Sequence, residues 1–383
     1  MARLPAPINA IFIISTKLLK IRRKANLSSL FYKTFAIFAS AVYEPVSCIF
    51  HCVLTALLMQ TQIFTRSKDL PTLCEGNFFH SRDLFCMLEQ TPRLQPCMVV
   101  VTNEKGETIA QILAQIRSKR RILGLNFTRR ARIYGEGVYR NDVDFTEKAK
   151  LFDDMMDALV HYMLRHWCYH IELSDMSKKM FGYRTLRQHG FVPIPWIQLH
   201  HSLHSRTPEE RASEKVLQRV KYAMENGFET REAKTKEEIH QLYRLIKRYY
   251  LLRKQRYIPK ETLFQQIGSS HHGHIYITLY KGHIVGGSVV VDSGRESMLW
   301  YDAAMEKRYL FYHPHTLTVW NAIKEAHRRG QDHIHILNIG LPFSRSKYRD
   351  FMLSFGGKPI GSYRWFRFSN SVMRRFMFWY YQI

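Results

Sequence analysis

The chain has 383 residues, 46% hydrophobic and 23% charged, which excludes a disordered or fibrous protein and gives room for two or three globular domains. Its 57 Lys and Arg against 32 Asp and Glu leave a formal net charge of +25, so favoured partners are anionic: nucleic acid, an anionic membrane surface or phosphorylated small molecules. Six cysteines without a CxxC pair exclude a disulfide framework and fit a reducing compartment.

The first 58 residues differ from the rest. Ile8–Ile14 is short and apolar, and Lys17, Lys20, Arg22, Arg23 and Lys24 follow it. Phe35–Leu58 is apolar enough for a membrane helix, but Glu44-Pro45 interrupts it, and a buried charge there costs about 3 kcal/mol. As a span, it would hold the N-terminus in the cytosol and export everything after residue 58. Either the segment does not span, or residues 1–58 are a poorly defined extension outside the translated protein, with Met59 as initiator and a strand beginning at once. The expected location is the cytoplasm, with peripheral membrane association as the variant.

From residue 98 a regular order sets in. Met98–Thr102 and Thr108–Ile116 form a hairpin around Glu104–Glu107, and Arg132–Val138 follows as a strand. Phe152, Met155, Met156, Leu159, Met163 and Trp167 keep helical spacing; strand Tyr169–Leu173, a short helix ending at Gly190 and strand Trp196–Leu203 come next. Two capped helices then intervene, one opened by Thr207-Pro208-Glu209-Glu210, the other by Thr235-Lys236-Glu237-Glu238 with Ile239, Leu242, Tyr243, Ile246 and Tyr250 on its apolar face. The order then returns: hairpin Ile275–Val291, strand Ser297–Met305, a helix through Leu317, Trp320, Ile323 and His327, strand His333–Leu337, a short helix ending at Gly356-Gly357, and strand Ser362–Phe368. It is met twice, about 165–175 residues apart, which predicts two tandem α/β (α+β) lobes, each a mixed, largely antiparallel sheet flanked by helices. The boundaries expected are 59–205 and 206–383.

The residues of the second unit carry a family resemblance. They are Val285-Gly286-Gly287-Ser288, Trp300-Tyr301-Asp302-Ala303-Ala304, His313-Pro314-His315-Thr316-Leu317 with Trp320-Asn321-Ala322-Ile323, and Phe351-Met352-Leu353-Ser354-Phe355-Gly356-Gly357-Lys358-Pro359. Each unit resembles the GCN5-related N-acetyltransferase (GNAT) fold, and the doubling resembles the Fem-type (FemAB/FemX) peptidoglycan aminoacyltransferases. In the first unit, Phe78-Phe79-His80-Ser81 with Leu84-Phe85 resembles the opening of that family. The resemblance implies an enzyme that moves an acyl or aminoacyl group onto an amine acceptor, a cell-envelope precursor being one candidate, with acyl-CoA or aminoacyl-tRNA as donor. Two departures stand out. Glu306–His315 holds no glycine where coenzyme A-dependent members cradle the pyrophosphate, and Met352 stands where the family has a lysine. They leave open a non-catalytic tandem that binds RNA or an anionic membrane.

The resemblance also implies a splayed pair of central strands that exposes backbone amides to the acyl carbonyl, with 300–304 as one of them. Asp302 in that strand is a candidate base or amine-orienting carboxylate, the alternative being a solvent-facing strand residue. Tyr301 and Tyr348 are candidates to return the proton to the leaving group, or else packed core tyrosines. Asn338 and His315 are assigned to substrate binding, and Arg345, Lys347 and Arg349 to a phosphate or a tRNA acceptor end, the alternative being a solvated helix face. Other basic runs lie at Arg117–Arg121, Arg129–Arg132, Lys247–Arg256 and Arg364–Arg375, the last interleaved with aromatics in a pattern that suits nucleic acid or a membrane interface. His271, His272 and His274 lie in a loop, and His333 and His335 on one strand face, with no Cys, Asp or Glu at zinc spacing, so no metal is expected.

Overall fold

The computed structural model describes residues 59–118, 129–176, 181–253 and 257–370, with single positions beyond. The N-terminal extension and the basic residues Lys119, Arg120, Arg121, Lys254, Arg256 and Arg374 lie outside the described residues. The first half comprises β1 (Gln60–Phe64), α1 (Arg82–Gln90), β2 (Leu94–Thr102), β3 (Thr108–Arg117), β4 (Arg129–Tyr134), β5 (Val138–Tyr139), α2 (Phe145–Arg165), β6 (Cys168–Ser174), α3 (Tyr183–Gln188) and β7 (Val192–Ser202). Then come α4 (Pro208–Arg211), α5 (Glu214–Glu225), β8 (Phe228–Glu232), α6 (Lys236–Arg253) and α7 (Glu261–Gly268). The second half closes with β9 (Gly273–Tyr280), β10 (His283–Ser293), β11 (Glu296–Ala304), α8 (Pro314–Arg328), β12 (His333–Gly340), α9 (Lys347–Leu353) and β13 (Lys358–Phe368).

Local chemistry sets the helix starts. Asp144 caps α2 through Glu147 N–H, and Thr207 with Glu210 forms the capping box expected at α4. Thr235 and Glu238 exchange the same pair of bonds ahead of α6.

The strands form one mixed sheet in the order β1-β2-β3-β4-β6-β13-β7-β12-β11-β10-β9-β8, with β5 beside β3. Its parallel pairs are β4 with β6 and β11 with β12, each bridged by a crossover helix, α2 or α8. The duplicated order is therefore real, but the units are interlocked. β7 runs antiparallel to β12 of the second half, and β13 runs antiparallel to β6 of the first. The two exchanged strands also pair with each other from Val192↔Phe366 to His200↔Lys358. The described residues from Gln60 onward consequently make one compact unit.

One core also runs across both halves. Phe78, Phe79, Phe85 and Leu88 pack in the same cluster as Ile246, Phe264, Trp300 and Tyr301. Trp300 meets Phe79 and Tyr134 edge-on, at 5.6 and 6.0 Å between ring centroids. Truncating such a buried ring costs about 3–5 kcal/mol. A second core, with Val220, Leu317, Trp320, Ile323, Ile336 and Phe355, holds α5 and α8 on the second half.

Candidate active site

The site forms where two central strands part. β11 and β12 are paired only from Glu296↔His333 to Met298↔His335, although both strands continue. On its other side β12 slips register against β7 between Ile336 and Gly340, and Gly340 takes φ +114°, a value that favours glycine. Backbone groups freed by such a divergence need other partners. The Leu337 carbonyl accepts from the Trp196 indole N–H at 3.0 Å and from the Arg364 guanidinium at 3.4 Å. Arg364 stacks 4.0 Å over the Trp196 ring and also donates to Asn338 Oδ1. On the β12 side of this divergence lies a pocket of about 390 Å³ lined by residues that include Trp196, Tyr250, Asn338, Arg345, Tyr348 and Arg364.

Asp302, from β11, is only 2% exposed and lies behind the lining, bonded to two of its residues, Tyr348 and Tyr250. Its Oδ2 is 2.6 Å from His315 Nε2 in the first turn of α8. Its Oδ1 accepts from the Tyr348 hydroxyl at 3.0 Å and from the Tyr250 hydroxyl at 3.4 Å. A buried carboxylate persists only when it is hydrogen-bonded, and three donors from α6, α8 and α9 meet that need. The His315 ring also stacks on Phe351 at 4.8 Å, which fixes its plane. Burial, reinforced by the Asp302 charge, pushes the Tyr348 hydroxyl well above its ordinary range, so it stays protonated as a donor.

The other expected residues fall into different surroundings. Asn338 and Arg345 line the pocket. Lys347 opens α9 on the exposed surface. Arg349 donates to the carbonyls of Leu341 (2.9 Å) and Ser344 (2.7 Å), and so braces the loop that forms one wall. Tyr301 packs in the core with Phe264 and Trp300, its hydroxyl 3.5 Å from the Tyr257 carbonyl. Met352 is fully buried in the second core, so the lysine position of the resemblance is apolar packing here.

Sequence reasoning placed Tyr250 on an apolar helix face and gave no role to Trp196 or Glu306. Glu306 closes the N-terminus of α8. Its Oε2 accepts from His315 N–H at 3.2 Å, while the amides of Thr316 and Leu317 turn to the His313 carbonyl at 3.0 and 3.4 Å. Pro314 has no amide hydrogen. A helix N-terminus holds a pyrophosphate through free amides. This one has its first amides engaged by the protein itself, so the α8 terminus does not fit the coenzyme A diphosphate.

Comparison with known proteins agrees with the fold. Residues 211–345 match the family model of an acetyltransferase (GNAT) domain, a family that in general uses acyl-CoA. No curated protein matches the chain. Among solved structures it is similar to FemX, with 9% identity, a TM-score of 0.55, and 82% of this chain and 99% of that one covered. It is also similar to L-PGS from Bacillus licheniformis, with 11% identity, a TM-score of 0.50, and 71% and 85% covered. At such identities the structural likeness speaks for the fold, and the domain match adds support for acyl transfer. The chain has a tandem GNAT fold resembling the Fem-type proteins, and its residues 211–345 match the acetyltransferase (GNAT) domain model.

Proposed function

We propose that the protein transfers an acyl or aminoacyl group onto an amine in the pocket beside the parted β12, with Asp302 and His315 as the proton-handling pair. The observation that carries this reading is the buried Asp302 carboxylate, engaged by His315 and by Tyr348 and Tyr250, two residues of the pocket lining. The incoming ammonium gives up a proton to the Asp302–His315 pair and attacks the acyl carbon through its freed lone pair. The new C–N bond forms, the nitrogen releases its second proton to solvent, and the tetrahedral oxyanion meets donors at the parted strand edges. Tyr348 then donates its proton to the departing group as the carbon–heteroatom bond breaks, and recovers one through Asp302. Asn338 and Arg345 hold the substrates at the pocket wall.

The engaged amides at α8 favour a donor that is not anchored by a diphosphate there. Aminoacyl-tRNA meets that condition, and the +25 charge suits its phosphates. The acceptor is an amine of the cell-envelope precursor type, modified in the cytoplasm or at its membrane face. Among the described residues no helix is long and apolar enough to cross a membrane. Residues 206–383 carry most of the reacting groups and 59–205 form the scaffold, although β7 lends Trp196 to the pocket.

The test offers the full chain labelled aminoacyl-tRNA and labelled acetyl-CoA side by side, with a lysine-bearing envelope pentapeptide as the acceptor. Label from aminoacyl-tRNA is expected on the peptide amine. Label from acetyl-CoA alone would overturn the donor assignment, and label from neither would overturn the function.

A further inference from the structure

A second constellation, sharing no residue with the pocket lining, lies where α1 meets the turn between α7 and β9. Asp83 stands in the first turn of α1, and His271 and His272 form that turn. One ligand-type atom from each of the three lies within 4.8 Å of the others. His272 is held firmly: its N–H donates to Ser270 Oγ at 3.0 Å, and its carbonyl accepts from Asp292 N–H at 2.7 Å. Its ring packs 5.1 Å from Phe78, whose N–H bonds Ser293 Oγ at 3.0 Å. Both sides of the constellation therefore rest on docked elements of the two halves.

The tautomer gives the decisive argument. His272 Nδ1 is 3.2 Å from the Asp292 carbonyl oxygen, which can only accept, so Nδ1 carries the proton. In the neutral ring Nε2 then presents a lone pair, and it faces Asp83 Oδ2 at 3.5 Å. The gap is longer than the roughly 2.7–2.9 Å of a charge-assisted hydrogen bond. The gap is close to the ~3.4 Å edge between neighbouring ligands of a tetrahedral ion with bonds of about 2.0–2.1 Å. An imidazole that donates Nδ1–H to a carbonyl while turning Nε2 inward has the outer hydrogen bond that orients metal-binding histidines. The His271 ring stands 3.9 Å from that of His272, close enough to supply a third ligand.

We propose that Asp83, His271 and His272 bind a zinc-like divalent transition metal, with water completing the coordination. Two imidazoles and one carboxylate suit Zn²⁺, Co²⁺ or Ni²⁺ rather than the all-oxygen preference of Ca²⁺ or Mg²⁺. The ion clips α1 of the first half to the turn entering β9 of the second, and stabilises the interlocked sheet without touching the pocket. The expectation of no metal, drawn from spacing along the chain, could not see this set because its carboxylate comes from a distant helix.

Full-length protein stripped with chelator would be titrated with Co²⁺, read by its visible d–d absorption, and with Zn²⁺ by calorimetry. The double variant Asp83→Asn/His271→Ala changes only exposed side chains, and His272→Ala completes the series. The wild type is expected to take up one ion with tetrahedral-type Co²⁺ absorption, and the double variant to bind at least tenfold more weakly. Zn²⁺ is expected to raise the melting temperature of the wild type and leave that of the double variant unchanged. Equal Zn²⁺ affinity in the wild type and the double variant, or no Co²⁺ band, would overturn the assignment. An ordinary His272–Asp83 ion pair would give those results.

Discussion

Asp302→Asn removes one charge and almost no volume, which makes it the sharpest single perturbation of the pocket. The carboxylate accepts from His315 at 2.6 Å, Tyr348 at 3.0 Å and Tyr250 at 3.4 Å. Asparagine keeps one acceptor oxygen and turns an NH₂ toward the remaining donor, so one of the two sides faces donor to donor. Losing the charge-assisted bond to His315 costs about 1.5–3 kcal/mol of positioning. At 1.36 kcal/mol per decade that alone is about 10- to 100-fold in rate. Removing the proton acceptor adds to this, because general base catalysis contributes about 10²–10⁴-fold. The expected loss in kcat is at least about 100-fold, with the fold intact by circular dichroism. His315→Asn should lose about as much, and the double variant little more, because the two groups act as a unit. A folded Asp302→Asn protein that turns over within threefold of the wild type would refute the reasoning.

Tyr348→Phe should lower kcat about 10- to 100-fold by removing the proton donor, while Tyr250→Phe, at the longer 3.4 Å bond, should lose less. Steady-state kinetics on both variants checks the ranking. Glu306→Ala frees the His315 amide and should cost about 1 kcal/mol of stability, read by urea titration. Full burial pushes the His80 imidazole down to about 4, while its Nδ1 accepts from Leu113 N–H. The unfolded chain, with an ordinary histidine near 6.5, then binds more protons as pH falls below that value. The stability His80 lends is complete above about pH 6.5 and shrinks toward pH 4, where about 3 kcal/mol has been lost. Melting curves of the wild type and His80→Gln across that window should converge as pH falls. Residues 60–205 and 206–383 made separately should each fail to fold cooperatively, because β13 and β7 belong to each other's half, and should recover a native far-UV spectrum when refolded together.

Much of the fold was legible because local signals agreed with one another. The hairpins, the crossover helices and the caps at Thr207 and Thr235 follow from alternation, 3.6-residue spacing and capping chemistry, which act over a few residues. The exchange of β7 and β13 was not legible. Periodicity identifies a strand without naming its neighbour, and Trp196–Leu203 fits beside β12 as well as beside β6. The site was half legible. Asp302 and His315 lie in segments that carry the family resemblance and Tyr348 just ahead of the last of them, and the structure brings the three within hydrogen-bond reach. Tyr250 was hidden on an apolar stripe, where a tyrosine packs as readily as a leucine and only the partner of its hydroxyl reveals a role. Arg349 illustrates the converse: its charge suggested a phosphate, but the fold turns it onto two loop carbonyls. Glu306 was unreadable because its partner amide belongs to a helix nine residues ahead across an irregular loop.

The central claim is acyl transfer to an amine through the Asp302 pocket, and a paired transfer assay tests it most directly. Wild type and Asp302→Asn would each receive labelled aminoacyl-tRNA with the lysine-bearing envelope pentapeptide, and labelled acetyl-CoA in a parallel arm. The account predicts amide-linked label on the peptide from aminoacyl-tRNA with the wild type, reduced at least about 100-fold in the variant. Equal label from both proteins, or none from either donor, would contradict it.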